Sequence, residues 1–226
     1  MEGIMSQDRE LTKNKIILAA ISCVERDGIQ GLTTRNVAKE AGVNNASINY
    51  YFGTKENLIE AMFKYIQDHL FSDLEELFAD KDLNVYSQLK VFFTFILRGI
   101  SNYPNLIKAL FDSYNDTTAF NEETTRVFNA YFDKLIERVE KEEPRERAEI
   151  FRISLMQMFA AVIGLCLPGA IFKDYFKVNF NDPQVQQEYI DHLLKHYITW
   201  IDQAEIEKQK AAVNHMLDRL FNSDRV

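Results

Sequence analysis

The chain has little of what interrupts a helix. Only 8 glycines and 4 prolines occur in 226 residues. Folds built from short strands need frequent turn signals, so helices joined by short loops are expected instead. Cysteine is equally sparse: Cys23 and Cys166 lie far apart, each in an apolar run, and no C-x-x-C pair exists. That excludes a disulfide framework and the common zinc motifs, and leaves buried, reduced thiols as the expectation. The N-terminal stretch is polar and charged, without an apolar secretory core, which points to the cytoplasm. Enzyme signatures are missing too. There is no nucleophile elbow, phosphate loop, dinucleotide fingerprint or metal-hydrolase helix, and acid pairs such as Glu75-Glu76 and Glu142-Glu143 read as solvated faces. No catalytic residue, no catalysis and no cofactor are expected.

A surplus of positive charge is also lacking. The net charge is −8, which by itself argues against a polyanionic partner. Its distribution changes that reading. Residues 9–55 hold seven Lys or Arg against four Asp or Glu, a net +3 inside the acidic whole. This is the sign expected if only the N-terminal part meets phosphates.

What the chain does have is helical periodicity. Ile16, Ile17, Ala20, Ile21 and Val24 form one apolar stripe that Asp27-Gly28 should end. Thr33 can cap a short helix carrying Val37, Ala38 and Ala41 inward. Gly42 permits a left-handed turn, and a third short helix runs from about Asn45 to Tyr51. Gly53-Thr54 breaks it and starts a long helix from Lys55 to about Phe78. Further helices are expected at about 84–101, 104–113, 121–141, 145–172, 184–203 and 205–221. The segment Ile153 to Phe172 approaches the length of a membrane span, but Pro168-Gly169 interrupts it and charged amphipathic helices flank it. A buried central helix is expected there, and no membrane partner.

Residues 31–55 read GLTTRNVAKEAGVNNASINYYFGTK: two short helices about a tight glycine turn, with another helix in front. That is helix-turn-helix spacing. Asn44, Asn45, Ser47 and Asn49 are small polar groups able to meet base edges, and an amide pairs bidentately with adenine. Ala46 is small enough to admit close approach and can touch a thymine methyl. Tyr50, Tyr51, Thr34, Arg35 and Lys55 supply phosphate donors.

The same stretch resembles the TetR family of repressors. The resemblance rests on Gly-Leu-Thr-Thr-Arg, Val-Ala-Lys-Glu-Ala-Gly-Val and Ser-Ile-Asn-Tyr-Tyr-Phe-Gly-Thr-Lys-Glu-Asn-Leu, within about residues 11–62. It implies backbone contacts by Thr34, Arg35, Ser47, Tyr50, Tyr51 and Lys55, and base reading by Asn44, Asn45 and Asn49. Asn49 stands where the family usually has an aromatic residue and Tyr51 where it often has His, so the base preference is expected to differ. The resemblance further implies an all-α fold: an N-terminal helix-turn-helix DNA-binding domain (residues 1–54) and a C-terminal helical domain (55–226) for ligand binding and dimerisation. The expected function is a ligand-responsive repressor released from a palindromic operator by a small molecule. The alternative is a helical small-molecule- or partner-binding protein without sequence-specific DNA binding.

Within the C-terminal part, aromatic and polar residues together suggest a ligand site: Phe95, Arg98, Phe111, Asp112, Asn115, Phe128, Gln157 and Phe159. The acidic balance favours a neutral or cationic hydrophobic effector. Ile190, Leu193, Leu194, Tyr197, Ile198 and Ile201 follow the spacing of one helix face. The implied homodimer would pair the last two large helices across a two-fold axis, with this stripe at its interface. Glu188, His192 and His196 share another face with zinc-compatible spacing, but no further ligand is visible, so no metal site is expected.

Overall fold

Glycine and capping residues set the boundaries of the N-terminal helices. The computed structural model describes residues 2–79, 82–113, 119–166 and 174–222. Among these it contains ten helices and no strand: α1 (Glu2–Gly31), α2 (Thr34–Ala41), α3 (Asn45–Phe52), α4 (Lys55–Ala79), α5 (Val85–Asn102), α6 (Pro104–Ser113), α7 (Ala119–Glu142), α8 (Arg145–Ile163), α9 (Pro183–Tyr197) and α10 (Gln203–Asn222). In α1 the anticipated stop is a break within the helical run, at Gly28 (φ 71°, ψ 169°). Thr33 caps α2, its hydroxyl accepting from the Asn36 amide at 3.2 Å. The chain forms two compact units, one of residues 1–70 and 103–122, the other of 71–102 and 123–225.

The first unit packs α1 to α3, the start of α4 and α6 around one apolar core. Ile16, Ala20, Cys23, Val24, Leu32, Val37, Ile48, Leu58 and Met62 are all within 1% of full burial. Desolvation raises the pKa of the Cys23 thiol, and the neighbouring Arg26 only partly offsets that; the Cys166 side chain lies outside the described residues. The N-terminus of α6 is held by α1. The Glu25 carboxylate accepts from the Leu106 amide at 3.1 Å, while the Asn105 side chain donates to the Glu25 carbonyl at 2.8 Å. Free amides at a helix start are thereby satisfied.

The second unit is built round α5, against which α8, α9 and α10 pack. Asn84 caps α5 through the Ser87 amide at 2.9 Å. Gln209 of α10 accepts from the Asn84 amide and donates to the Asp82 carbonyl, both at 2.8 Å. Arg138 of α7 donates to the Leu83 carbonyl at 2.7 Å and to Gln88 at 3.1 Å. Lys90 of α5 pairs with Asp191 of α9 at 2.6 Å. An aromatic nucleus joins α5, α7 and α8. In it Phe92 stacks on Tyr131 at 4.4 Å, and Phe128 and Phe132 lie 5.7 and 5.1 Å from Phe159.

Three expectations for this unit need correction. The helix expected over 145–172 ends at Ile163, where Gly164–Cys166 tightens into a 3-10 turn. It is not buried throughout: Ile150, Ile153 and Met156 are 58–64% exposed, while Phe151, Leu155, Met158 and Val162 face inward. No described helix is long and apolar enough to cross a membrane. The helix expected to reach residue 203 ends at Tyr197, because Ile198 leaves helical geometry (φ −106°, ψ 74°).

Candidate functional site

The turn between α2 and α3 is closed by backbone and side chain together. Gly42 takes the left-handed conformation (φ 62°, ψ 35°), and its amide meets the carbonyls of Ala38 and Lys39. A residue with a Cβ is strained there. Asn44 then caps α3, its Oδ1 accepting from the Ser47 amide at 2.8 Å and from the Ser47 hydroxyl at 3.0 Å. Ile48 and Phe52 drop into the core and anchor the helix. At its other end Gly53 turns the chain (φ 77°). Thr54 caps α4 through the Asn57 amide at 3.1 Å, and the Asn57 side chain reaches back to the Phe52 carbonyl at 2.8 Å. The α3 helix is therefore fixed at both ends as well as along its inner face.

Its outer face is open. Asn44, Asn45, Ala46 and Asn49 are exposed, as is Arg35 on α2. Tyr50 is 67% exposed, so it is not a packed core residue. Its ring meets Tyr51 edge-on at 5.1 Å, and the Arg9 guanidinium lies 5.3 Å from its centre. Thr34, Ser47, Tyr51 and Lys55 are half-buried, Tyr51 packing against the core of the unit. Two of the candidate contacts thus have structural work inside the unit: Asn44 and Ser47 are tied to each other at the start of α3. Sequence reasoning counted Arg9 only as a charge; its approach to Tyr50 depends on how α1 passes α3. Arg26 is a different case. It pairs with Asp27 at 3.1 Å and Glu40 at 2.9 Å, and these carboxylates raise its already high pKa, so it contributes little net charge outward.

The ligand and interface candidates fall in separate places. Phe128 and Phe159 belong to the aromatic nucleus, and Gln157 is exposed on α8. Phe95 stacks on Phe221 at 5.9 Å, and among the described candidates only Arg98 lines the cleft between α5, α9 and α10. The side chains of Phe111 and Asp112, and all of Asn115, lie outside the described residues. In the α9 stripe, Ile190, Leu194 and Ile198 are at most 2% exposed within a single chain. These three are spent on the chain's own core, because α9 turns its apolar face to α5 and α8; Leu193, Tyr197 and Ile201 are half-buried. Glu188, His192 and His196 are exposed, and among the described residues no three His, Cys, Asp or Glu gather closely enough to hold a metal.

A match to a known family falls on the same segment. The family of bacterial regulatory proteins named for tetR matches residues 16–62 by its N-terminal domain. The HTH-type transcriptional regulator BetI of Vibrio campbellii is 29% identical over 79 residues, which is 35% of this chain and 40% of that protein. The similarity thus spans well under half of that relative's length. In fold, a putative TetR-family transcriptional regulator from Rhodococcus sp. superposes with a TM-score of 0.58 at 17% identity, over 83% of this chain and 98% of the other. A transcriptional regulator from Rhodococcus sp. Rha1 does so with a TM-score of 0.60 at 17% identity, over 83% and 96%.

Proposed function

The chain belongs to the TetR family through its N-terminal domain at residues 16–62, and from that premise we propose that it is a DNA-binding transcriptional regulator, a repressor released by a small molecule. The observation that carries this reading is the open face of α3. Its exposed amides, Asn45 and Asn49, and its exposed Tyr50 stand on a helix anchored from within by Ile48 and Phe52. Such a helix enters a major groove without reorganising, and its amides meet base edges. Arg35, Tyr50 and Lys55 serve as phosphate donors around it. Lys55 opens α4, where free helix amides add to the attraction for an anion.

Two heads are needed to read a near-palindrome, and the α8 face of Ile150, Ile153 and Met156 supports a homodimer. These are three large apolar side chains, each more than half exposed, on successive turns of one helix. Contiguous exposed apolar surface of this kind marks an interaction site. In this reading the interface lies on α8, and the inward stripe of α9 supports it from behind. The effector is a small molecule held in the second unit. α4 runs from the first unit into the second, and α5 continues through Tyr103 into α6, whose start is held by Glu25 of α1. A ligand that shifts α5 would thus act on the head through the chain itself. It must favour the non-binding arrangement; equal affinity for both would shift nothing.

The test is salt-dependent duplex binding by fluorescence anisotropy. Lys55→Ala is expected to weaken binding to every duplex and to lower the log–log salt slope by about 1. Asn49→Ala is expected to leave the slope unchanged and relax preference at one base position, at a cost of about 1–3 kcal/mol. An unchanged slope in the first variant, with unchanged preference in the second, would remove these residues from the interface.

A further inference from the structure

Arg98 sits on α5 with its guanidinium 4.2 Å from the centre of the Phe221 ring of α10. Its Nε is buried and has no hydrogen-bond partner among the described residues. One turn earlier Thr94, only 4% exposed, also has a buried hydroxyl without a partner. Buried polar groups are nearly always paired, and leaving two donors unpaired on adjacent turns is costly. Both residues line one cleft of about 230 Å³ between α5, α9 and α10, together with Lys90, Gln187, Asn214 and Asp218.

The lining selects the ligand's chemistry. Lys90 is committed to Asp191 at 2.6 Å, so the cation a ligand meets is Arg98. Burial lowers the pKa of Arg98, and the charge of Asp218 only partly opposes this. An anionic acceptor would restore what burial removes, and charge-assisted bonds to a carboxylate are the strong kind. The amides of Gln187 and Asn214 suit further hydroxyl or amide groups. The volume falls below the roughly 300 Å³ at which drug-sized pockets begin.

We propose that this cleft binds a small polar carboxylate, which accepts hydrogen bonds from Arg98 Nε and the Thr94 hydroxyl. As the site of the effector this rests on the regulator reading above; as a binding site it stands independently. It replaces the apolar effector suggested by composition, because the lining of the cleft decides and the net charge of the whole chain does not.

Titration calorimetry on the full chain tests it, with lactate, malate and 4-hydroxybenzoate each set beside its primary amide. At least one acid should bind at one per chain, with its amide at least about 10-fold weaker. Arg98→Gln should weaken that acid by about 10-fold or more, and the nearly isosteric Thr94→Val by a few-fold, with helicity by circular dichroism unchanged. No binding by any of the acids, equal binding of acid and amide, or unchanged affinity in both variants would overturn the site. Duplex binding measured on the same samples separates the two readings. Loss of the carboxylate site with DNA binding intact removes only this inference. Carboxylate binding by a protein that ignores every duplex removes only the regulator reading.

Discussion

Replacing Ile153 and Met156 together by aspartate is expected to turn a dimer into a monomer and to weaken operator binding by at least about 100-fold, since specific binding exceeds non-specific binding by about 10³-fold or more and one head meets only half the site. The side chains are 58% and 64% exposed in the single chain, on the side of α8 opposite Phe151, Leu155 and Met158. The substitutions therefore leave the chain's own core intact. In a dimer joined through this face they would bury like charges against each other, which suppresses association strongly. Sedimentation equilibrium reads the first effect and duplex titration the second. A variant that stays dimeric would place the interface elsewhere on the chain.

Phe92→Ala is expected to cost about 3–5 kcal/mol of unfolding free energy. Phe92 is 0% exposed. It stacks on Tyr131 at 4.4 Å and meets Phe93, Phe128 and Phe132 at ring separations of 5.1, 6.3 and 5.9 Å. Removing one ring from a cluster of rigid rings leaves a void that they cannot collapse to fill, so the cavity cost adds to the lost transfer energy. Each aromatic contact is worth a further fraction of a kcal/mol to about 1.5 kcal/mol beyond its buried area. Urea denaturation measures the loss. A change below about 1 kcal/mol would mean that α5, α7 and α8 do not share this nucleus. The prediction also bears on the ligand candidates: Phe128 and Phe159 carry stability here, and their truncation should be felt in unfolding before it is felt in any binding isotherm.

Local chemistry made the N-terminal helices legible. Thr33, Gly42 and Thr54 each act through neighbours a few residues away, and each sets the boundary that its residue type suggests. Asn44 shows where that reasoning stops. An amide before a helix is both a cap and a possible base reader, and only the 2.8 Å bond to the Ser47 amide shows that its oxygen caps. Periodicity likewise finds an apolar face without saying what covers it. The stripe of Ile190, Leu194 and Ile198 is real, and α5 and α8 already cover these three residues within the single chain. Conversely, Ile153 and Met156 stand in a run so apolar that no face can be distinguished, which hides the exposed side of α8. Of the cleft at Arg98 only Arg98 itself was legible as a ligand candidate, because the other walls come from α9 and α10, distant in sequence from α5.

In the proposed function α3 reads a symmetric duplex site. Selection of a random duplex pool on the purified protein, near physiological salt, tests it most directly. Enrichment of a two-fold symmetric sequence is expected, with half-sites about one helical turn apart, roughly 10 base pairs or somewhat more. Enrichment should be lost when Asn45, Asn49 and Tyr50 are all replaced by alanine. A pool that remains random over successive rounds, or the same enriched sequence with the triple variant, would contradict it.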